Sequence, residues 1–238
     1  MTVETGQRES LMAKLFKLWT YICVMIFEGK RSLTEVIDHL QEIKDDPNFR
    51  KKSVVAGSDA KSQLRSWRKF YQKYFGIQLV INEIKVPAGK EGFGWLIVLA
   101  KGLSNEKIFA KLAENFTCWK YADDLDKITS VRVNTATYAI WVRDRVEADE
   151  ELKNQSADDL EAGNVNCITL PERMVLELYY WANHNHEHLD VQNITRCAGS
   201  RRSGGRVPCV YWDDGRLKVS WYCSSDRDDD LRSRQAVS

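Results

Sequence analysis

The sequence predicts an α+β fold on three observations. Apolar residues recur at spacings of three and four in several segments up to Phe116, the period of an amphipathic helix. Residues 207–222 alternate with period two, as a half-buried strand pair does. The 238-residue chain is 43% hydrophobic and 29% charged, which is ordinary globular usage and leaves room for one large domain or two small ones. With only 4 Pro and 13 Gly it is neither collagen-like nor broadly disordered. Balanced charge, 35 Lys+Arg against 34 Asp+Glu, provides no global attraction to nucleic acid or to a membrane surface.

The elements follow in order. Leu11, Leu15, Leu18, Tyr21, Ile22 and Met25 form one helical stripe with a face to bury, and Gly29 breaks it. The uncharged run Leu18–Phe27 is shorter than the roughly 20 residues a bilayer requires. Glu4 and Glu9 precede it and no small-residue cleavage pattern follows, so no membrane span and a cytoplasmic location are expected. A second helix opens at Ser32 with Glu35 at capping-box spacing, buries Val36, Ile37, Leu40 and Ile43, and stops at Asp45-Asp46-Pro47-Asn48. Residues 50–60 read as a connection. The helix that follows, with Leu64, Trp67, Phe70, Tyr71 and Tyr74 among basic residues, ends at Gly76. Residues 77–81 and 93–100 read as a short strand pair, the second buried on both faces.

The best boundary lies near Gly102. It separates an N-terminal region of unknown role, residues 1–102, from a second domain, residues 103–238. There Ser104 caps a helix carrying Ile108, Leu112 and Phe116. Residues 137–142 read as a strand, the acidic stretch 144–151 as helix, and 156–163 as polar loop or short helix. Leu170-Pro171 opens a strong helix ending in a histidine-rich tail, and short strands and turns follow.

The C-terminal alternation is the most informative feature. Val210 and Trp212 share one strand face, and Leu217, Val219 and Trp221 share a face of the next, with Asp213-Asp214-Gly215 as the turn. The opposite side reads Cys209, Tyr211, Lys218, Ser220, Tyr222. The flanking loops, 201–206 and 222–230, use only Arg, Ser, Gly, Cys, Tyr and Asp. Rigid amphipathic rings combined with adaptable hydrogen-bonding groups are the contact chemistry of binding loops.

Residues 189–201 (LDVQNITRCAGSR), 207–212 (VPCVYW), 217–221 (LKVSW) and 231–238 (LRSRQAVS), with 138–152 and 168–173 upstream, resemble the C-terminal part of variable proteins from diversity-generating retroelements, in the archaeal and candidate-phylum bacterial versions. The likeness covers roughly 106–238. It implies a C-type lectin-like fold of the formylglycine-generating-enzyme variety, in which the 170–183 region is the second long helix and Ala198-Gly199-Ser200 takes the place of a Gly-Gly-Ser strand. The ending Leu-Arg-Ser-Arg departs from the better-known members and leaves the last strand's register open. In such systems a reverse transcriptase copies a template with errors at adenines. It acts on the gene, not the protein. AAY codons become NNY codons, which encode Arg, Ser, Gly, Cys, Tyr and Asp but never Lys, Glu, Gln, Met or Trp.

On that resemblance the diversified segment is about 201–230. The ligand-contacting residues are Arg202, Ser203, Arg206, Cys209, Tyr211, Asp213, Asp214, Ser220, Tyr222, Cys223, Ser225, Arg227, Asp228 and Asp230. Trp119, Trp141, Trp181, Trp212 and Trp221 belong to the scaffold, and Lys218 stays outside the variable set. The expected partner is a protein or other macromolecular ligand, with no cofactor, no metal and no catalysis. The six cysteines show no C-x-x-C and no close pair, so reduced thiols are expected rather than a disulfide or zinc framework. His184, His186 and His188 alternate and so do not share a helix face, and the Asp226–Asp230 run lacks a calcium-loop pattern. No nucleophile elbow or phosphate loop occurs. The alternative is a DNA-associated regulatory protein using the basic aromatic helix 61–74, with Arg65, Arg68, Lys69 and Lys73 toward phosphates.

Overall fold

The computed structural model describes residues 15–17, 19–29, 32–34, 36–37, 40 and 60–238. The chain divides into two compact units, Met1–Val55 and Ala56–Ser238. In the first, residues 15–17 and 19–27 are helical, Gly29 turns with φ +68°, and 33–34, 36–37 and 40 are helical again. The stripe expected to be buried is not: Leu15 and Tyr21 are exposed, as are Ile37 and Leu40, while Ile22 and Met25 are half-buried. Leu11, Leu18, Glu35, Ile43, the stop at 45–48 and the connection at 50–59 lie outside the described residues.

The division expected at Gly102 falls inside the second unit, because one core spans it. Helix α1 (Ala60–Phe75) buries Leu64, Trp67, Phe70 and Tyr71. Strand β1 (Trp95–Leu99) pairs antiparallel with β4 (Tyr138–Val142), Leu96 opposite Trp141. The other edge of β1 is occupied by side chains of α1. Trp67 Nε1 donates to the Leu96 carbonyl at 2.6 Å, Tyr71 Oη to the Val98 carbonyl at 2.8 Å, and the Gln63 amide brackets Gly94 and Leu96. That edge therefore has no vacancy for a second N-terminal strand. Residues 77–80 run irregularly instead, and Ile81–Glu83 is a 3-10 turn.

Helix α2 (Asn105–Ala113) starts at Ser104, whose hydroxyl accepts the Lys107 N–H at 3.3 Å. Strands β2 (Cys118–Lys120) and β3 (Thr129–Ser130) precede β4. The segment 144–151 is not a helix. Its charges are spent on tertiary contacts: Arg143 on Asp149, Arg145 on Glu151, and Glu147 on the N–H groups of Val191 and Gln192. Helix α3 (Ala157–Ala162) has a reciprocal Ser156–Asp159 capping box. Helix α4 (Leu170–Asn183), with Pro171 in its first turn, packs against β1, α2 and β7 and is buried on nearly every side.

The remaining strands are β5 (Ile194–Arg196), β6 (Ser200–Arg201), β7 (Val207–Asp213), β8 (Arg216–Tyr222) and β9 (Leu231–Arg232). A mixed five-stranded sheet runs β2-β8-β7-β5-β9, with β2 parallel to β8 and β9 parallel to β5, and β3 pairs with β6. The last strand thus finds its register beside β5, Leu231 opposite Ile194. The protein is α+β. Gly199 sits where no side chain fits, since a Cβ there would lie 2.6 Å from the Cys167 carbonyl oxygen. Among the described residues no helix is long and apolar enough to cross a membrane.

Candidate ligand-binding surface

The β7–β8 hairpin closes through Asp214 and Gly215, at φ +53° and +72°, the two left-handed positions of a type I′ turn. Its register sets Val210 opposite Val219, Trp212 opposite Leu217, and Tyr211 opposite Lys218. Val210, Leu217 and Val219 point inward and are buried. Trp212 and Trp221 close the two ends of that face and are half-buried. Trp212 lies flat on His188, with ring centroids 3.3 Å apart and planes at 10°. Trp221 meets Tyr121 edge-on, and the Arg202 guanidinium covers it at 3.9 Å.

On the other face Tyr211, Lys218, Ser220 and Tyr222 are half-exposed. Every member of the expected contact set reaches solvent except Cys209, which is 0% exposed. The correction has a structural cause. Arg196, the cross-strand neighbour of Cys209 on β5, donates to the carbonyls of Gln155 at 2.7 Å and Asp226 at 2.6 Å. This ties the 223–230 loop down over the thiol, and burial pushes the Cys209 pKa up to about 12. Cys209 contacts no ligand here. It is roofed scaffold.

The structure gathers the remaining set into two groups. Tyr211 and Tyr222 share the outer face with Ser220, and burial raises the Tyr222 pKa above its ordinary value. Asp213 and Asp214 hang at the hairpin tip, paired with Lys218 and Arg216. Arg202 and Arg206 form the second group, on the Trp221 side. The Arg202 N–H donates to the Arg206 carbonyl at 2.8 Å across a turn through Gly204 and Gly205, and both guanidinium groups sit over the indole. Ser203, at that turn, is exposed.

The loop after β8 is braced rather than free. Arg227 forks onto Asp159 at 2.7 and 2.8 Å, holding that carboxyl below its usual range, and Ser224 Oγ donates to Asp158. Asp226 accepts the Cys223 N–H and Asp228 the Asp230 N–H. These two carboxylates are occupied in making turns. Cys223, Ser225, Arg227, Asp228 and Asp230 remain exposed. Among the described residues no group of three His, Cys, Asp or Glu side chains could hold a metal ion. The three histidines separate: His184 stacks on Tyr180, His186 on Trp181, and His188 on Trp212.

Two sets of residues escaped sequence reasoning. Trp119, expected in the scaffold, is 40% exposed on the edge strand β2, opposite Lys218 on β8. The registers align Trp119, Lys218 and Tyr211 in one cross-strand row on the outer face, and Tyr121, 60% exposed, touches Trp119 at 5.7 Å. Tryptophan and tyrosine side chains so grouped have the composition of binding hot spots. The β-period at 118–121 could have flagged Trp119, but only sheet order sets it beside the hairpin.

The second missed set is a chain of buried ions beneath the surface. Arg173 donates to Asp190 at 2.9 Å and to Glu177 at 2.7 Å. Glu177 also meets His188 Nδ1 at 2.9 Å, and Arg234 donates to Asp190 at 2.7 Å. All four charged residues other than the histidine are sealed from solvent, so they act as framework. No local sequence signal marks them, because lone charged residues ordinarily read as exposed.

The helix of the alternative reading, α1, turns Trp67, Phe70 and Tyr71 inward and leaves Arg68, Lys69 and Lys73 exposed. Of its rings, Tyr74 and Phe75 remain half-exposed.

No known family model, curated protein or solved structure matches this chain.

Proposed function

We propose that this chain is a non-enzymatic, cytoplasmic ligand-binding protein. In this reading its C-terminal surface is diversified by a retroelement reverse transcriptase, while a C-type lectin-like scaffold stays constant. The observation that carries the proposal is the division across the β7–β8 ribbon. The core is held by Val210, Leu217 and Val219 from one side, and Tyr211, Ser220 and Tyr222 are half-exposed on the other. Substitutions at exposed positions usually stay within about 0.5 kcal/mol, so such a face tolerates replacement. Trp119, Tyr121 and Lys218 lie among the changeable positions as constant contacts. The ligand is a protein or other macromolecule large enough to cover the hairpin face and its braced loop together.

The DNA beside the gene tests this directly. A near-copy of the 3′ coding end next to a reverse transcriptase gene is expected, with mismatches at template adenines falling on the exposed codons and sparing those of Val210, Leu217, Val219 and Cys209. Absence of such a repeat, or mismatches concentrated on the inward codons, would refute the reading. For the DNA-associated alternative, a labelled duplex is titrated with protein at rising salt. Retardation that weakens steeply with salt, and is lost on replacing Arg68, Lys69 and Lys73, would favour it instead.

A further inference from the structure

The helical segment of the first unit presents a surface of a different kind. Phe16, Trp19, Thr20, Cys23, Val24 and Phe27 stand at i, i+3, i+4, i+7, i+8 and i+11, one stripe of a helix, and all six are exposed, Phe16 by 73% and Phe27 by 98%. The stripe contains no charge, and residues 18–27 hold no Asp, Glu, Lys or Arg at all. A helix lying on a membrane surface sets an apolar face against a strongly charged one, and this segment has no such second face.

A second copy of the same segment fits. Read backwards, the stripe matches itself. In an antiparallel pair centred between Tyr21 and Ile22, Phe16 faces Phe27 of the second copy, Trp19 faces its Val24, and Thr20 faces its Cys23. Bulky rings then fall at the ends and small side chains at the centre, where the helices come closest. The same arrangement brings Lys17 within about one helical turn of the second copy's Glu28, on the same flank of the pair. A large aromatic side chain carries roughly 150–250 Å², so the stripe offers on the order of 500 Å² per copy. A two-fold pair would bury about 1,000 Å², the area a specific interface needs.

We propose that residues 16–27 form a pairing element through which two copies of this chain associate, antiparallel and two-fold. The pairing stands independently of the ligand-binding reading. Where that reading holds, pairing joins two binding surfaces and raises avidity without any new contact to the ligand.

Sedimentation velocity of the full chain tests the pairing. The protein sediments as a dimer. Phe16→Glu or Phe27→Lys alone raises the dissociation constant roughly tenfold or more, by facing a charge against a ring, with helix content unchanged by circular dichroism. The double substitution restores the dimer, because the introduced charges meet across the two-fold axis. In a Cys223→Ser background, a short bismaleimide joins Cys23 to Cys23 of the second copy, and Phe27→Lys abolishes the product. A chain monomeric up to about 100 μM, well above the dissociation constant of even a weak specific pair, would overturn the proposal. So would a dimer untouched by both single substitutions, a double variant that stays dissociated, or a chain monomeric in buffer that sediments with phosphatidylcholine–phosphatidylserine vesicles.

Discussion

Leu217 and Tyr211 sit on adjacent rungs of the hairpin ladder, on opposite faces, and they should respond to truncation very differently. Leu217 is fully buried in the core cluster. Leu217→Ala removes its packing from beneath the sheet and leaves a cavity, a change that costs about 2–5 kcal/mol. For a unit the size of Ala56–Ser238, each kcal/mol moves the midpoint of thermal unfolding by about 2–4 °C, so a loss near 3 kcal/mol lowers Tm by roughly 6–12 °C. Tyr211→Ser and Ser220→Asn alter the half-exposed face, where the expected change is within about 0.5 kcal/mol, or under roughly 2 °C. Thermal melts followed by far-ultraviolet circular dichroism on the three variants make the comparison. If Tyr211→Ser or Ser220→Asn cost as much as Leu217→Ala, the outer face would be structural and the case for a changeable contact surface would fail.

Four further outcomes are expected. Arg234→Met strips Asp190 of one partner and leaves the Arg145 carbonyl without its donor, so urea unfolding should show a loss of about 3–5 kcal/mol. In native protein a thiol reagent should label Cys223 promptly and reach Cys167, Cys197 and Cys209 only on unfolding. Burial raises the Cys209 thiol from 9.0 to about 12, so both states hold that proton below pH 9, and between pH 9 and about 12 only the unfolded chain releases it. Stability should therefore fall across that alkaline window, and Cys209→Ala should flatten the slope. Gly199→Ala forces a Cβ to 2.6 Å from the Cys167 carbonyl oxygen, and should lower stability by roughly 1–3 kcal/mol in a calorimetric scan.

Much of the site was legible from local pattern. The two-residue alternation and the Asp-Gly pair determine the hairpin, its turn and which side chains share a face, because a strand's periodicity and a left-handed turn are properties of a few adjacent residues. Ser104 likewise announces its helix, and Pro171 the opening of α4, because caps and first turns are local. What covers a face is not local. Cys209 alternates like an outward residue, and Arg196 and the returning loop enclose it. Trp119 resembles core until sheet order stands it on the edge beside Lys218. Segment 144–151 has helical composition, but Asp149 and Glu151 take Arg143 and Arg145, and Glu147 takes the Val191 and Gln192 N–H groups. The strand expected at 77–81 has no edge to join once Gln63, Trp67 and Tyr71 occupy β1. Local periodicity alone determined which side chains face together. The fold decided which of those faces meet water, because that depends on segments far apart in the chain competing for the same backbone groups and the same apolar surface.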